Sequence, residues 1–183
     1  MTSVWLVRHG EAAASFSEDM DPGLSPLGRE QALQSAEHLG QRVPEQAKLL
    51  SSPKRRALET GKPYAALIQA ELKIDTRFIE LPSPSDLAAR RQWLDEVLQG
   101  QWSALPESVQ LWRREVVSAI GSFTSPTVIF THFLVINAVA AYISGEDGVV
   151  QCLPANASVH ELSIEGSYWQ WRARGAMLES VVN

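Results

Sequence analysis

Arg8 and His9 stand side by side directly after a short apolar run, and Gly10 follows them. The run, from Ser3 to Val7, is rich in β-forming residues, which predicts a central strand covered on both faces. In open α/β sheets, ligands bind outside the carboxyl ends of such strands. An arginine fork can hold an oxyanion and an imidazole can offer a lone pair, so these neighbours indicate chemistry on an anion.

Two further predicted strands, Lys48 to Leu50 and Thr127 to Thr131, end beside the same residue types. Arg56 lies in the first turns of the helix that follows the former, and His132 stands where a helix follows the latter. Because the carboxyl ends of parallel strands meet at one edge of a sheet, we expect these side chains to share a crevice with the first pair.

The expected crevice holds two guanidinium groups, two imidazoles and two helix N-termini. Two unit charges 4 Å apart repel by about 4 kcal/mol at an effective dielectric of 20, so the arrangement requires an anion, and phosphate fits it. The cations should also lower the pKa of His9 and keep its lone pair available at neutral pH. A phosphohistidine route through His9 needs no metal.

The remaining predicted elements alternate between helices and strands. The helices run from Ser25-Pro26 to Gly40, from Pro53 to about Gln69 with Ser52 as the cap, from Ser85 to Leu98, from Pro106 to Phe123, and from Phe133 to Ser144; the strands are Lys73 to Asp75, Ser158 to Ile164 and Ser167 to Arg172. This alternation predicts an α/β sandwich with a mostly parallel sheet, to which the last two strands add an antiparallel edge.

Several short motifs, in order along the chain, resemble the histidine phosphatase superfamily, which has the phosphoglycerate-mutase-like fold. They are Arg8-His9-Gly10-Glu11, Leu24-Ser25-Pro26-Leu27-Gly28 with Gln31-Ala32, Ser51-Ser52-Pro53 with Arg56-Ala57 and Thr60, and finally His132. The ordered match covers residues 4 to about 164. The resemblance implies a three-layer α/β/α sandwich and a single domain over residues 1–183, in which residues 80–123 form a helical cover over the active site.

The resemblance also implies residue roles. It makes His9 the nucleophile that is transiently phosphorylated and His132 a second catalytic imidazole that also contacts phosphate. The implied phosphate-binding residues are Arg8, Arg56, His132 and, in part, Ser15. Glu80 matches the proton donor to the leaving group, and Glu11 and Asp86 are the alternatives for that role.

The chain departs from the family pattern at three positions near the crevice. The family usually has a threonine and an asparagine where Ala12 and Ser15 stand, and Ser15 can replace only part of the asparagine's contact with phosphate. A glycine is common after the second histidine, where this chain has Phe133. The ring of Phe133 is expected to narrow or reshape the pocket.

The composition limits the classes of partner. The 183 residues are 45% apolar and 20% charged, as in a globular domain, and carry a net charge of −5, which argues against nucleic acid or an acidic membrane as a partner. No apolar stretch approaches the roughly twenty residues of a membrane-spanning helix, and the N-terminus lacks the basic region of a signal peptide. We therefore expect a cytoplasmic protein without a membrane partner.

Cys152 is the single cysteine, which excludes an internal disulfide. A thiolate phosphatase needs an arginine six residues after its cysteine, but Ser158 stands there, so Cys152 is expected to be a small apolar residue. His38 and His160 fit no motif and are expected to be structural. The spacings typical of metal ligands are missing from the sequence, so we expect neither a metal nor another cofactor.

These patterns predict a metal-independent phosphatase that acts on a small phosphorylated substrate or on a phosphoprotein through a phosphohistidine on His9. Two alternatives stay open: a phosphoglycerate-mutase-type phosphotransferase, and a phosphate-binding regulatory module with little turnover. Trp93, Trp102 and Trp112 lie in the expected cover, where they either pack in the core or line the substrate entrance. The sequence does not determine the substrate or the oligomeric state.

Overall fold

The computed structural model describes residues 1–15, 19–83 and 86–179, without the side chains of residues 87 and 88. Six strands and five α-helices lie within these residues. The strands are β1 (Thr2–Arg8), β2 (Lys48–Ser51), β3 (Leu72–Ile74), β4 (Thr127–Thr131), β5 (Val159–Glu165) and β6 (Tyr168–Ala173). The helices are α1 (Pro26–Gly40), α2 (Arg55–Leu67), α3 (Leu87–Leu98), α4 (Glu107–Gly121) and α5 (Phe133–Ser144). No helix of the described residues is long and apolar enough to cross a membrane.

The strands form one sheet in the order β3-β2-β4-β1-β5-β6. The pairings of β1 with β4, β2 with β4 and β2 with β3 are parallel, while β5 pairs antiparallel with both β1 and β6. The predicted mostly parallel sheet with an antiparallel edge is therefore confirmed. Since β1, β2 and β4 are adjacent and parallel, their carboxyl ends meet at the same edge.

Each face of the sheet has its own apolar core. On β1, Val4 and Leu6 pack with residues of α4 and α5, whereas Trp5 and Val7 pack with residues of α1 and α2. Alternate side chains of a strand point to opposite faces, so a run that is apolar at every position indicates burial on both sides. These two cores produce the predicted three-layer sandwich.

The start of α2 differs from the prediction. The helix begins at Arg55, not at Pro53, and Lys54 is its N-cap residue. A residue distant in sequence explains the later start, because the Asp21 carboxylate accepts the Arg55 backbone N–H at 3.0 Å. The Ser52 hydroxyl accepts the Lys54 N–H at 3.3 Å and also lies 2.7 Å from the His132 Nε2 atom.

The other helix ends agree with the sequence patterns to within two residues, and the differences have local causes. Helix α2 ends at Leu67, and Gln69 then adopts the left-handed φ of 53° that stops a helix. Helix α5 ends where predicted, at Gly145 with a φ of 73°. The predicted start of α3 at Ser85 lies outside the described residues.

The three tryptophans of the 80–123 segment have different surroundings. Trp102 and Trp112 are buried in the core, with ring centroids 6.2 Å apart, and the Trp112 indole donates to the Ile79 carbonyl at 3.1 Å. Trp93, on α3, is half-buried and lines the cleft at the carboxyl ends of the strands. Both expectations for these indoles are therefore met, at different residues.

The loop after β1 lies directly against the first turn of α1. A Cβ atom at Gly28 would lie 2.1 Å from the Glu11 carbonyl oxygen, and one at Gly10 would lie 2.5 Å from the Gly28 carbonyl oxygen. The Gly10 N–H also donates to the Thr60 hydroxyl of α2, at 2.9 Å. Two glycines thus allow the backbone approach that fixes the loop after His9.

We expect Gly28→Ala to lower the free energy of unfolding by about 1–3 kcal/mol, because the new methyl group must displace backbone atoms. Thermal or urea unfolding measures the change. Gly40→Ala, at the other end of α1, is the matched control, since its Cβ would meet only the flexible Leu67 side chain at 3.2 Å. Equal stability of the two variants would contradict the close approach at Gly28.

Candidate active site

A cleft of about 670 Å³ lies at the carboxyl ends of the central strands. Arg8 and His9 at the end of β1, Arg56 on α2 and Glu80 all line it. His132 is fully buried behind His9, and the two ring centroids are 5.3 Å apart. The structure therefore brings together the five side chains that sequence reasoning placed at the centre of the site.

The His9 backbone is held from two neighbouring segments. Its N–H donates to the Thr131 carbonyl at 2.9 Å, and its carbonyl accepts the Ala157 N–H at 3.2 Å. The ring Nδ1 lies 2.7 Å from the Gly10 carbonyl oxygen. Because a carbonyl can only accept, Nδ1 carries the hydrogen, and in the neutral ring Nε2 keeps its lone pair.

The electrostatic surroundings of His9 favour that neutral ring. Burial and then the positive charges of Arg56 and Arg8 lower the pKa of His9 well below its ordinary value, against the small opposite effect of the Gly10 carbonyl. A neutral imidazole keeps the lone pair on Nε2 and can act as a nucleophile at neutral pH.

Two contacts hold the Arg8 guanidinium. Its Nη1 donates to the Pro154 carbonyl at 2.6 Å, and its guanidinium carbon lies 5.3 Å from the centre of the Phe133 ring. Its Nε is buried and has no hydrogen-bond partner among the described residues. Burial lowers the pKa of Arg8 to about 10, so the guanidinium stays charged at neutral pH.

Arg56, His132 and Ser52 form a buried chain. Arg56 Nη2 lies 3.3 Å from His132 Nδ1, and His132 Nε2 lies 2.7 Å from the Ser52 hydroxyl. A guanidinium can only donate, so Nδ1 of His132 accepts and Nε2 donates to Ser52. Burial, followed by the charges of Arg56 and other cations, lowers the pKa of His132 well below its ordinary value.

The Glu80 carboxylate lies beside the first turn of α5. Its carboxylate oxygens accept the N–H groups of Leu81 at 3.1 Å and Leu134 at 3.3 Å. Burial raises the pKa of Glu80. The charges of Arg56 and Arg8 and the two hydrogen bonds lower it, but their effect is smaller, so the pKa lies above its ordinary value. A carboxyl group with a raised pKa in a cleft can hold the proton that a leaving oxygen requires.

The remaining candidates lie farther from the centre. Ser15 is exposed and lines the outer part of the cleft. Glu11 is exposed at the rim, where it accepts the Ser25 hydroxyl at 2.6 Å. Asp86 is exposed and is not among the described residues that line the cleft. Of the three carboxylates considered as proton donors, Glu80 is the one whose charge raises the pKa of both Arg8 and Arg56.

Sequence reasoning missed two features of the site. Ser52 was expected only as a helix cap, yet its hydroxyl contacts His132; its position at a strand end beside the cleft is the signal that points there. The segment after β6 also reaches the site: the Leu178 N–H donates to the Leu153 carbonyl at 2.7 Å, and Leu178 lines the cleft. Irregular segments of this kind carry no periodic pattern from which their position can be predicted.

The residues expected to be structural have structural surroundings. His160 is buried, accepts the Gly175 N–H at 3.2 Å on Nδ1 and contacts the Ser158 hydroxyl through Nε2 at 2.8 Å. Burial, with the nearby Arg174, lowers the pKa of His160 to about 4. Cys152 is half-buried, and burial raises the pKa of its thiol. In the described part of the chain, no group of three or more His, Cys, Asp or Glu side chains is placed to hold a metal ion.

Residues 4–176 match the family model of the histidine phosphatase superfamily (branch 1). A glucosyl-3-phosphoglycerate phosphatase from Mycolicibacterium vanbaalenii is 38% identical over 79 residues, which are 41% of this chain. That match spans only 34% of the length of the curated relative.

Solved structures with the same fold cover nearly the whole chain. A mycobacterial glucosyl-3-phosphoglycerate phosphatase in complex with VO3 is similar with a TM-score of 0.74 and 24% identity, over 96% of this chain and 100% of that one. A phosphoserine phosphatase from Entamoeba histolytica, in complex with 3-phosphoglyceric acid, has a TM-score of 0.73 at 16% identity, over 97% of this chain and 98% of that one.

The geometry predicts that Arg56→Gln raises the pKa of both His9 and His132, because a nearby cation disfavours protonation of an imidazole. The pH dependence of the imidazole ¹⁵N shifts measures the effect. Arg55→Gln is the matched control, since Arg55 is the exposed neighbour on the same helix and pairs with Glu59 at 3.6 Å. If both variants left both histidines unchanged, Arg56 would not control their charge.

Proposed function

The chain belongs to the histidine phosphatase superfamily (branch 1), and we propose that it is a phosphoric monoester hydrolase that works through a phosphohistidine on His9. One observation carries the proposal. The Nε2 lone pair of a neutral, buried His9 lies in a cleft with two guanidinium groups, Arg8 and Arg56. A nucleophile beside fixed cations is what the transfer of a phosphoryl group requires.

In the first step, His9 Nε2 attacks phosphorus and the bond from phosphorus to the leaving oxygen breaks. Glu80, in its protonated form, gives its proton to that oxygen, so a neutral alcohol departs. In the second step, the Glu80 carboxylate takes a proton from water, and the water oxygen attacks phosphorus. The P–N bond then breaks, inorganic phosphate leaves, and His9 and Glu80 regain their starting forms.

The arginines stabilise the charge that the phosphoryl group carries through both steps. Arg8 enters the reaction with an unused, buried Nε–H, and Arg56 is oriented by His132. In a site with little water, donors that are already fixed need not reorganise when charge develops on the phosphoryl oxygens. His132 accepts a hydrogen bond from Arg56 on Nδ1. We therefore assign His132 the role of orienting that guanidinium and of packing against the His9 ring.

The named relatives support this class of reaction. The three similar proteins described above are named as phosphatases, and one was solved in complex with VO3. The proposed substrate is accordingly a small phosphomonoester. The same pocket would also fit a phosphorylated side chain of a protein, provided that the side chain reaches the bottom of the cleft.

We expect His9→Ala to lower the turnover of p-nitrophenyl phosphate, measured with EDTA present, by at least about a thousandfold. Rapid acid and base quenching of labelled substrate should detect a base-stable, acid-labile phosphoryl group on the parent and none on the variant. His38→Ala is the control, because His38 lies on α1 and outside the cleft lining. Unchanged turnover in His9→Ala would remove His9 from the mechanism.

The same experiment separates the alternatives. Tight binding of inorganic phosphate without any phosphohistidine would identify a phosphate-binding module instead of an enzyme. Transfer of the label to a second hydroxyl, with formation of phosphoglycerate isomers and little free phosphate, would identify a mutase-type phosphotransferase.

Glu80→Gln should slow the hydrolysis of an alkyl phosphate by about 10²–10⁴-fold, because the alcohol then leaves without a proton. The burst of p-nitrophenolate, which reports the first step alone, should be slowed much less, since p-nitrophenolate is a stable anion that leaves without a proton. In the parent, activity on the alkyl phosphate falls as the pH rises through the raised pKa of Glu80, and this fall should vanish in the variant. Glu11→Gln is the control, and a larger, substrate-dependent loss in that variant would transfer the role to Glu11.

A further inference from the structure

One side of the cleft beyond the arginines is lined by large apolar side chains. Leu81 and Leu134 are buried beside Glu80, and both line the cleft. Three side chains of α3 and one from the C-terminal segment complete this surface: Trp93, Leu94, Leu98 and Leu178. We refer to these six residues as the apolar wall.

The spacing on α3 explains why the helix contributes a continuous apolar surface. Leu94 and Leu98 are four residues apart and lie on one face of the helix about one turn from each other, and Trp93 adjoins that face, about 100° from Leu94 around the helix axis. All three are half-buried and pack against the core on the α4 and α5 side of the sheet. They are therefore held in place before any substrate binds.

Arg90 joins α3 to the turn on the opposite side of the cleft. Its Nε donates to the Ser83 hydroxyl at 3.0 Å, and its Nη1 lies 3.2 Å from Met20 Sδ and 3.5 Å from the Asp19 carbonyl. The side chain is itself buried. These contacts fix the distance between the apolar wall and the 19–20 turn, so the outer cleft has a defined width.

Two polar groups at the rim are already engaged within the protein. The Glu11 carboxylate accepts the Ser25 hydroxyl, and the Gln31 side-chain oxygen accepts the Glu11 N–H at 2.8 Å. A sugar or glycerate group in the outer cleft would lose its hydrogen bonds with water against the apolar wall. Losing such bonds without replacement is unfavourable, whereas burying methylene groups there is favourable.

We propose that the substrate is a phosphomonoester of an apolar alcohol, whose hydrocarbon part lies against Trp93, Leu94 and Leu98. This inference rests on the proposed phosphatase activity and names its substrate class. It separates the chain from what the names of its relatives say, since glucosyl-3-phosphoglycerate is rich in hydroxyl groups. Trp93, Leu94 and Leu98 are thus specificity-determining residues.

The test compares alcohols that leave with similar ease, because an aryl phosphate reacts faster for electronic reasons alone. Ethyl, butyl and hexyl phosphate are compared with glycerol 3-phosphate and glucose 6-phosphate, all esters of primary alcohols. We expect kcat/KM to rise at least about tenfold from ethyl to hexyl phosphate, and hexyl phosphate to exceed both polyols. A flat or falling series, or a preference for either polyol, would overturn the proposal.

Variants of α3 locate the effect. Trp93→Ala and Leu94→Asn should each reduce the ratio of kcat/KM between hexyl and ethyl phosphate by at least about threefold, chiefly through KM. Gln92→Ala is the matched control, since Gln92 is exposed on the same helix and pairs with Glu96 at 2.9 Å. Having two variants keeps the test valid if one of them does not fold. An unchanged ratio in the folded variants would show that the wall does not contact the substrate.

Failure of this inference differs from failure of the proposed function. If His9 is phosphorylated by a polyol phosphate and not by the alkyl series, the phosphatase activity stands and the apolar substrate class is wrong. If neither these esters nor p-nitrophenyl phosphate releases phosphate or labels His9, the proposed function itself fails, and the substrate class with it.

Discussion

The exclusion of water from the edge of the sheet controls the chemistry of this cleft. Burial is the largest cause of the shifted pKa values of His9, His132 and Glu80, and it drives each of these groups toward its neutral form. A neutral imidazole is a nucleophile and a neutral carboxyl group is a proton donor. One physical effect therefore prepares both partners of the proposed reaction, while Arg8 and Arg56, whose ordinary pKa values are much higher, stay charged.

The position of His9 in the cleft depends on backbone packing around the loop after β1. Gly10 and Gly28 let this loop lie against α1, and the Gly10 N–H is held by the Thr60 hydroxyl, which itself donates to the Arg56 carbonyl at 2.7 Å. The nucleophile's loop and the arginine's helix are thus joined through one threonine side chain. A shift of either segment would move His9 relative to Arg56.

The strand ends could be predicted from the sequence because they depend on local patterns: a doubly buried strand is apolar at every position, and polar residues follow where it ends. The start of α2 could not, because the N–H of its first residue, Arg55, is accepted by Asp21, which is 34 residues away. The contact of Ser52 with His132 spans 80 residues and the approach of Leu178 to the cleft has no local signal either. Short-range patterns placed the residues near one another, but long-range contacts determine which atoms meet.

Phe133 departs from the family pattern, and it changes the leaving-group end of the cleft without changing the oxyanion end. Where the family usually has glycine, this ring covers one face of the Arg8 guanidinium, and α5 still begins at that residue, so the Leu134 N–H still reaches Glu80. Burial lowers the pKa of Arg8 to about 10, which keeps that group charged at neutral pH. It also adds apolar surface beside Leu134. The substitution therefore preserves the oxyanion end of the cleft and makes the leaving-group end more apolar, in the same direction as the side chains of α3.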